Sequence, residues 1–387
     1  MVEKKNIVLL GATGSIGTST LKVIEKHSDA LNLIGIACNR NYEKLLGIAK
    51  KFKVKKLCVY DEETALKARK VAENDLEITT SEEGMIDLAT LEEADIILIA
   101  VVGVSALKPA LEGLKKNKDI AIANKEILVM AGEFIMEAVK SSKGRLLPTD
   151  SEHNAIFQCL EGKDPSLVDR LILTASGGPF RDYSLEQMKS IQKEDALKHP
   201  NWEMGNKITI DSASMANKGL EIIEAHWLFN HPIDKIEVVI HPQSLVHSMI
   251  QMIDGSIISQ MSPPLMTFAI QNAILYPNRL SSPDPTIDFT QAMELNFRPP
   301  EEDKFPCLKL AKDSLQFGNC GPAAFNAANE IAVDAFLRDQ IHFLQIPEII
   351  EQTFHSLSNF NAENLDSLIN FDSNARNLAT LIIKELK

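Results

Sequence analysis

No stretch of this 387-residue chain is apolar for long enough to span a bilayer; the longest such run, residues 96–104, is less than half of what a membrane helix needs. Cysteine is scarce, and the five present, at positions 38, 58, 159, 307 and 320, never fall within four residues of one another. That excludes a clustered zinc knuckle and suits a reducing compartment better than a disulfide framework. Positive charge is also short: 40 Lys and Arg against 53 Asp and Glu leave a formal net charge of -13. Such a field repels phosphate backbones and anionic lipid, so neither nucleic acid nor a membrane is an expected partner. An anionic small molecule must instead meet a local cluster of donors. The opening MVEKKNIVLLGATG lacks the apolar core and cleavage site of a secretory signal, because a glycine turn follows four apolar residues. A cytoplasmic protein is the expectation.

What is there is a globular composition, 45% hydrophobic and 24% charged, at a length that calls for two or three cores. Up to Pro148, short β-branched runs (NIVLL, LNLIGIA, KLCVY, ADIILIAVV, DIAIAN, RLLP) alternate with amphipathic stretches of helical period. Parallel neighbours require a crossover, so this rhythm predicts an α/β fold with a doubly wound, Rossmann-like parallel sheet over residues 1–149. Over residues 150–276 the pattern becomes mixed α/β, with strands at RLILTAS and IEVVI and a hairpin LVHSMIQM-IDGS-IISQM turning on Asp254-Gly255. Six of the 17 prolines lie in residues 277–306, which predicts a linker or extended strap. Residues 307–387 show helical periodicity only and predict a C-terminal helical bundle.

Four constellations carry chemistry. GATGSIG places Gly11, Gly14 and Gly17 between the first strand and first helix, where a tight turn and a helix N-terminus can hold a pyrophosphate; a plain strand-to-helix turn has the same form. At the end of the second strand, where an NAD site has an acid, the chain reads Asn39-Arg40-Asn41. Arg40 can pair with a 2′-phosphate, which favours NADPH, or it is a solvated surface cation. In LPTDSEHNAIFQCL, Asp150 and Glu152 are about 200° apart if one helix holds both, but converge if Asp150 ends a strand and Ser151 begins the helix. Two hard oxygen donors at a strand exit suit Mg²⁺ or Mn²⁺ better than zinc, and a helix cap explains the same residues. In DSASMANKGLE, Asn217 and Glu221 share a helix face with Lys218 close to both: Glu221 can add a third carboxylate while Ser212, Asn217 and Lys218 hold a phosphate. An exposed helix with an i,i+3 ion pair is the alternative. Two loops complete the set. Ser176 in LTASGGPF suits phosphate capture or a structural turn, and Trp202 and Met204 in KHPNWEMGNK suit a flap or a core anchor.

GATGSIG, ANKEILV, LPTDSEHNAIFQ, ASGGPF, HPNWEMG, NKGLE and FNAANE, in this order and spacing, resemble the 1-deoxy-D-xylulose 5-phosphate reductoisomerases over essentially the whole chain. The resemblance implies an NADPH-dependent enzyme that isomerises and reduces this sugar phosphate to 2-C-methyl-D-erythritol 4-phosphate in non-mevalonate isoprenoid synthesis. It implies that Asp150, Glu152 and Glu221 hold Mg²⁺, Mn²⁺ or Co²⁺, and that Lys125 and Ser151 contact the same substrate oxygens. Ser176, Ser212, Asn217 and Lys218 would hold the phosphate, with His199 touching substrate and Trp202 and Met204 as the flap. Thr13, Gly14, Ser15, Ile16, Asn39, Arg40, Asn41, Asn124, Glu126 and Gly205 would face NADPH. A homodimer is implied as well, and with no transit peptide ahead of the first strand a bacterial form is expected rather than a plastid precursor. Ala12 in the glycine turn and Glu203 in the flap read as tolerated variable positions, though Glu203 adds a negative charge beside an anionic substrate; His153 and Asn154 are expected to support structure. A metal-free dehydrogenase and an NADPH-sensing regulator are the competing functions.

Overall fold

The computed structural model describes residues 3–198, 205–358 and 360–386. Backbone contacts divide it into two compact units, each discontinuous in sequence. The first comprises Met1–Ile127, Ile135–Asn154 and Leu265–Ile287; the second comprises Leu128–Phe134, Ala155–Pro264 and Asp288–Lys387.

The first unit is built on seven strands: β1 (Lys5–Leu10), β2 (Leu31–Cys38), β3 (Lys56–Val59), β4 (Glu77–Thr79), β5 (Ile96–Ile99), β6 (Asp119–Ile122) and β7 (Leu146–Pro148). They run parallel in the order β4-β3-β2-β1-β5-β6-β7. A sheet covered by helices on both faces needs strands apolar on both sides, which is why the β5 residues Ile96, Ile97, Leu98 and Ile99 are all fully buried. Chain order reverses between β1 and β5, and in open α/β sheets the crevice at such a reversal, beyond the carboxyl ends of the strands, takes the ligand. The proline-rich segment supplies no regular element between the helix Met266–Leu275 and the helix Cys307–Ser314. Its first part belongs to this unit: Asp284 accepts a hydrogen bond from Thr267 at 2.6 Å and pairs with Lys22.

The second unit has a four-stranded mixed sheet. Its strands are β8 (Val168–Ala175), β9 (Ile236–Ile240), β10 (Val246–Met252) and β11 (Ile257–Met261), in the order β11-β10-β8-β9. β10 and β11 form the antiparallel hairpin expected from Asp254-Gly255, with Gly255 at φ +86°. A single apolar core joins this sheet to the helices Ala216–Phe229, Gly321–Leu337, Gln345–Ser356 and Leu365–Glu385. Gly219 allows the helix Ala216–Phe229 to lie against the helix Cys307–Ser314, since a Cβ there would stand 2.9 Å from the Ala311 Cβ and 3.0 Å from the Cys307 carbonyl oxygen. All five cysteines are free and buried, and burial pushes the Cys38 and Cys307 thiols up to about 12, so they are inert core residues.

Gly132 is the tightest glycine contact with a side chain. A Cβ at this position would fall 2.3 Å from the Trp227 indole, beside the non-helical turn at Ala131 that kinks the helix Lys125–Ser141. Gly132→Ala is expected to cost about 1–3 kcal/mol through overpacking, despite the usual gain from removing a helical glycine. Equilibrium urea unfolding reads this; a stability equal to or above wild type would contradict the close packing.

Candidate active site

Four strand exits of the parallel sheet carry the polar residues of the first unit. At the β1 exit, Gly11 adopts φ +99°, and a Cβ on it would lie 2.4 Å from the carbonyl oxygen of Ala100, just past β5. Gly17 is as constrained, since its Cβ would meet the Gly11 carbonyl oxygen at 2.4 Å. These contacts fold the turn flat against the sheet. Gly14 then begins the helix Ser15–Lys26 with no side-chain cap, so its first N–H groups and dipole are available to an anion. Thr13, Ser15 and Ile16 line the same turn. This cradle fits the pyrophosphate of a dinucleotide.

At the β2 exit, Asn39 and Arg40 are exposed. Arg40 points its Nε at Asp61, 3.3 Å away, and Asn41 caps the helix Tyr42–Phe52 by accepting from the Lys44 N–H at 3.2 Å. Hydrogen bonds, first from the Thr64 hydroxyl and then from the Thr64 N–H, hold the Asp61 carboxyl below its ordinary range, and Arg40 adds to this. Asp61 is therefore an anion that orients Arg40. No acid stands at the end of β2 itself.

At the β6 exit, Asn124 is buried and caps the helix Lys125–Ser141, accepting from the Ile127 N–H at 3.1 Å while its amide donates to the carbonyls of Val101 and Gly103. Lys125, only 6% exposed, extends its ammonium to Asp150 at 2.6 Å. Half-buried Glu126 follows it. β7 ends at Pro148, Thr149 still donates its N–H to Ile122 at 2.9 Å, and the helix Ser151–Leu160 begins at once. Asp150 accordingly sits at the junction, its carbonyl accepting from the Asn154 N–H at 2.9 Å. This is the strand-exit geometry that the i, i+2 spacing demanded: Asp150 and Glu152 present carboxylate oxygens within 4.8 Å of each other. Ser151 donates its hydroxyl to Glu152. An ammonium and a hydroxyl facing two hard oxygen donors fit a divalent cation with a bound polyol oxygen nearby. Asn154 supports the junction, donating to Pro148 at 2.8 Å and Asn272 at 3.0 Å. His153, expected to support structure, brings a ring nitrogen within 4.8 Å of an Asp150 carboxylate oxygen.

In the second unit, β8 ends in Ser176-Gly177-Gly178, both glycines at positive φ. The Ser176 hydroxyl accepts from the Gly178 N–H at 3.3 Å, and Arg181 donates to the Ser176 carbonyl at 3.2 Å. A Cβ on Gly178 would lie 2.7 Å from the carbonyl oxygen of Ser212, so the turn is seated directly on the end of the helix Asn206–Ala213. Next in the chain, Met215 takes a left-handed conformation and starts the helix Ala216–Phe229. There Lys218 (3% exposed) and Glu221 (1%) form a buried ion pair, and Asn217 donates its amide to the same carboxylate. The exposed-helix alternative for this motif is thus overturned. Gly205 caps the helix Asn206–Ala213 and is exposed. His199, Trp202 and Met204, with Glu203, lie outside the described residues.

Sequence inspection missed Lys44, whose ammonium donates to the Thr13 carbonyl at 2.9 Å and the Thr18 hydroxyl at 3.1 Å. Its position three residues after the helix-capping Asn41 was the available signal.

Comparison with known proteins establishes the family of the chain. Residues 7–132 match the family model described as 1-deoxy-D-xylulose 5-phosphate reductoisomerase, and residues 146–229 and 261–378 match the two models of its C-terminal domains. The chain is 46% identical over 375 residues to the 1-deoxy-D-xylulose 5-phosphate reductoisomerase of Clostridium perfringens, covering 96% of this chain and 98% of the relative. Among solved structures it is similar to the reductoisomerase of Zymomonas mobilis in complex with NADPH, with a TM-score of 0.92 and 40% identity over 98% of this chain and 99% of that one. A DOX-P reductoisomerase in complex with NADPH, fosmidomycin and magnesium matches with a TM-score of 0.92 and 38% identity over 99% of both chains.

Proposed function

From the premise that the chain belongs to the 1-deoxy-D-xylulose 5-phosphate reductoisomerase family, we propose how its own residues divide the work of that NADPH- and metal-dependent conversion to 2-C-methyl-D-erythritol 4-phosphate. The observation that carries the proposal is the ledge of strand exits in the first unit, where one sheet edge holds both the glycine cradle and the Lys125–Asp150–Glu152 cluster. A cofactor placed on the cradle and a reacting carbonyl placed on the cluster are served by one rigid scaffold.

Asp150, Glu152 and Glu221 hold the divalent cation, Mg²⁺ or Mn²⁺ with Co²⁺ as a substitute. When bound, this ion polarises the substrate's carbonyl and adjacent hydroxyl oxygens and stabilises the charge that develops on them. Lys125 and Ser151 donate to the same oxygens, Lys125 holding Asp150 in place until then. Ser176, Ser212, Asn217 and Lys218 bind the phosphate. Lys218 is the cation of that set and the other three are neutral donors, which suits a dianion in a protein whose overall field is negative. His199 touches substrate, and Trp202 and Met204 close over it to exclude water while the aldehyde awaits hydride. Thr13, Gly14, Ser15, Ile16, Asn39, Arg40, Asn41, Asn124, Glu126 and Gly205 face NADPH. In these terms residues 1–149 serve the cofactor, 150–276 the metal and substrate, 277–306 the link and 307–387 the helical support.

A homodimer is the assembly proposed. The second unit leaves β11 as a sheet edge with Ile253 and Ile257 more than half exposed, a surface that favours strand or face pairing. The five reduced, buried thiols suit the cytoplasm. Electron paramagnetic resonance of Mn²⁺ tests the metal assignment: wild type should bind one ion per chain, and Glu152→Gln and Glu221→Gln should each lose it. Undiminished binding by both variants would overturn the ligand set.

A further inference from the structure

The β2 exit recognises the adenosine end of a dinucleotide, and Arg40 is the obvious cation there, but Asp61 faces it at 3.3 Å. An arginine already paired with a carboxylate brings little net charge to a dianionic phosphate. The ammonium of Lys44, on the helix that follows, has no acidic partner among the described residues. It crosses from the first turn of the helix Tyr42–Phe52 to the glycine turn, donating to the Thr13 carbonyl and the Thr18 hydroxyl. An ammonium has three N–H donors, and these two contacts fix its position while leaving one donor to aim elsewhere. Asn41 holds the backbone of Lys44 through the helix cap, so the side chain departs from an anchored point.

We propose that Lys44 is a specificity-determining residue that binds the 2′-phosphate of NADPH from the glycine-turn side, opposite Arg40. The inference rests on NADPH being the cofactor, as proposed above. The pyrophosphate is served by the N–H groups of the uncapped helix Ser15–Lys26. Lys44 approaches instead from the helix that follows β2, the strand whose exit meets the ribose. Arg40 is paired with Asp61, and Lys44, in the same helix turn as Glu43 but in no ion pair among the described residues, brings a further positive charge to this corner. That charge favours a 2′-phosphate over the neutral diol of NADH.

Fluorescence titration of the full-length protein with NADPH and, separately, NADH tests this, using wild type, Lys44→Gln and Lys44→Arg. Lys44→Gln should weaken NADPH roughly five- to tenfold, the size of one exposed charge-assisted contact, and leave NADH affinity unchanged. Lys44→Arg should retain most of the NADPH affinity, and the loss in Lys44→Gln should shrink as ionic strength rises. Equal weakening of NADPH and NADH would assign Lys44 to the shape of the glycine turn, and unchanged NADPH binding would remove it from the site; either overturns the proposal. Wild type that fails to bind NADPH at all would overturn the cofactor assignment itself, and this inference with it.

Discussion

Asp150→Asn is expected to lower kcat by on the order of a thousandfold, the scale seen when a preorganised charge at the reacting atoms is removed, while the NADPH dissociation constant stays within a factor of about two. Asparagine preserves the volume, the backbone of the β7 exit and one acceptor oxygen. What it removes is the negative charge that a hard divalent cation requires. The cofactor cradle lies at the β1 and β2 exits of the same sheet and keeps its backbone contacts, so binding and turnover separate. The substitution also strips Lys125, whose side chain is 7% exposed, of an ion-pair partner at 2.6 Å. Some loss of stability therefore accompanies the loss of rate, and thermal unfolding must be recorded beside steady-state kinetics. If the variant remains folded and turns over at a tenth of the wild-type rate or better, Asp150 is not a metal ligand.

The second large effect concerns Lys218. Its ion pair with Glu221 is almost wholly out of water, with side-chain exposures of 4% and 1%, so solvent screening does not dilute it. Taking one partner from such a pair leaves a buried charge uncompensated, which typically costs about 3–5 kcal/mol. Asn217 still donates to Glu221, which places Lys218→Met at the lower end of that range. Lys218→Met should therefore unfold at markedly lower urea and, once folded, show a KM for the sugar phosphate raised on the order of a hundredfold, because the proposed charged phosphate contact is lost. The double variant Lys218→Met with Glu221→Leu distinguishes the two consequences. Apolar replacement of both partners should restore most of the stability, yet activity should be abolished because Glu221 is also a proposed metal ligand. A double variant with restored activity would show that the pair is purely structural.

Several parts of this architecture were legible in the residues alone because they follow from short-range rules. The parallel strands are apolar on both faces and are separated by helical stretches, so NIVLL, ADIILIAVV and DIAIAN could be placed, and the prolines of residues 277–306 excluded regular structure there. β4 was missed because Glu77–Thr79 has one strongly apolar residue, Ile78, at a sheet edge. The spacing of Asp150 and Glu152 demanded a strand exit, and the chain provides one. Nothing local could show that the helix bearing Asn217, Lys218 and Glu221 is buried. That depends on Gly219 meeting Cys307 and Ala311, almost a hundred residues away in sequence. Lys44 escaped notice for the same reason, since its partners Thr13 and Thr18 lie on another helix-turn unit. The recruitment of Leu265–Ile287 to the first unit is also a tertiary fact, because the periodicity of the helix Met266–Leu275 suits either unit equally.

In the proposed division of work, one chain couples a dinucleotide cradle to a carboxylate-held metal in rearranging and reducing a sugar phosphate. Enzyme stripped of divalent cations and supplied with NADPH and 1-deoxy-D-xylulose 5-phosphate should show no fall in NADPH absorbance until Mg²⁺ or Mn²⁺ is added, and oxidation should then match the formation of 2-C-methyl-D-erythritol 4-phosphate. Full-rate oxidation in the stripped enzyme, or none after metal is restored, would contradict it.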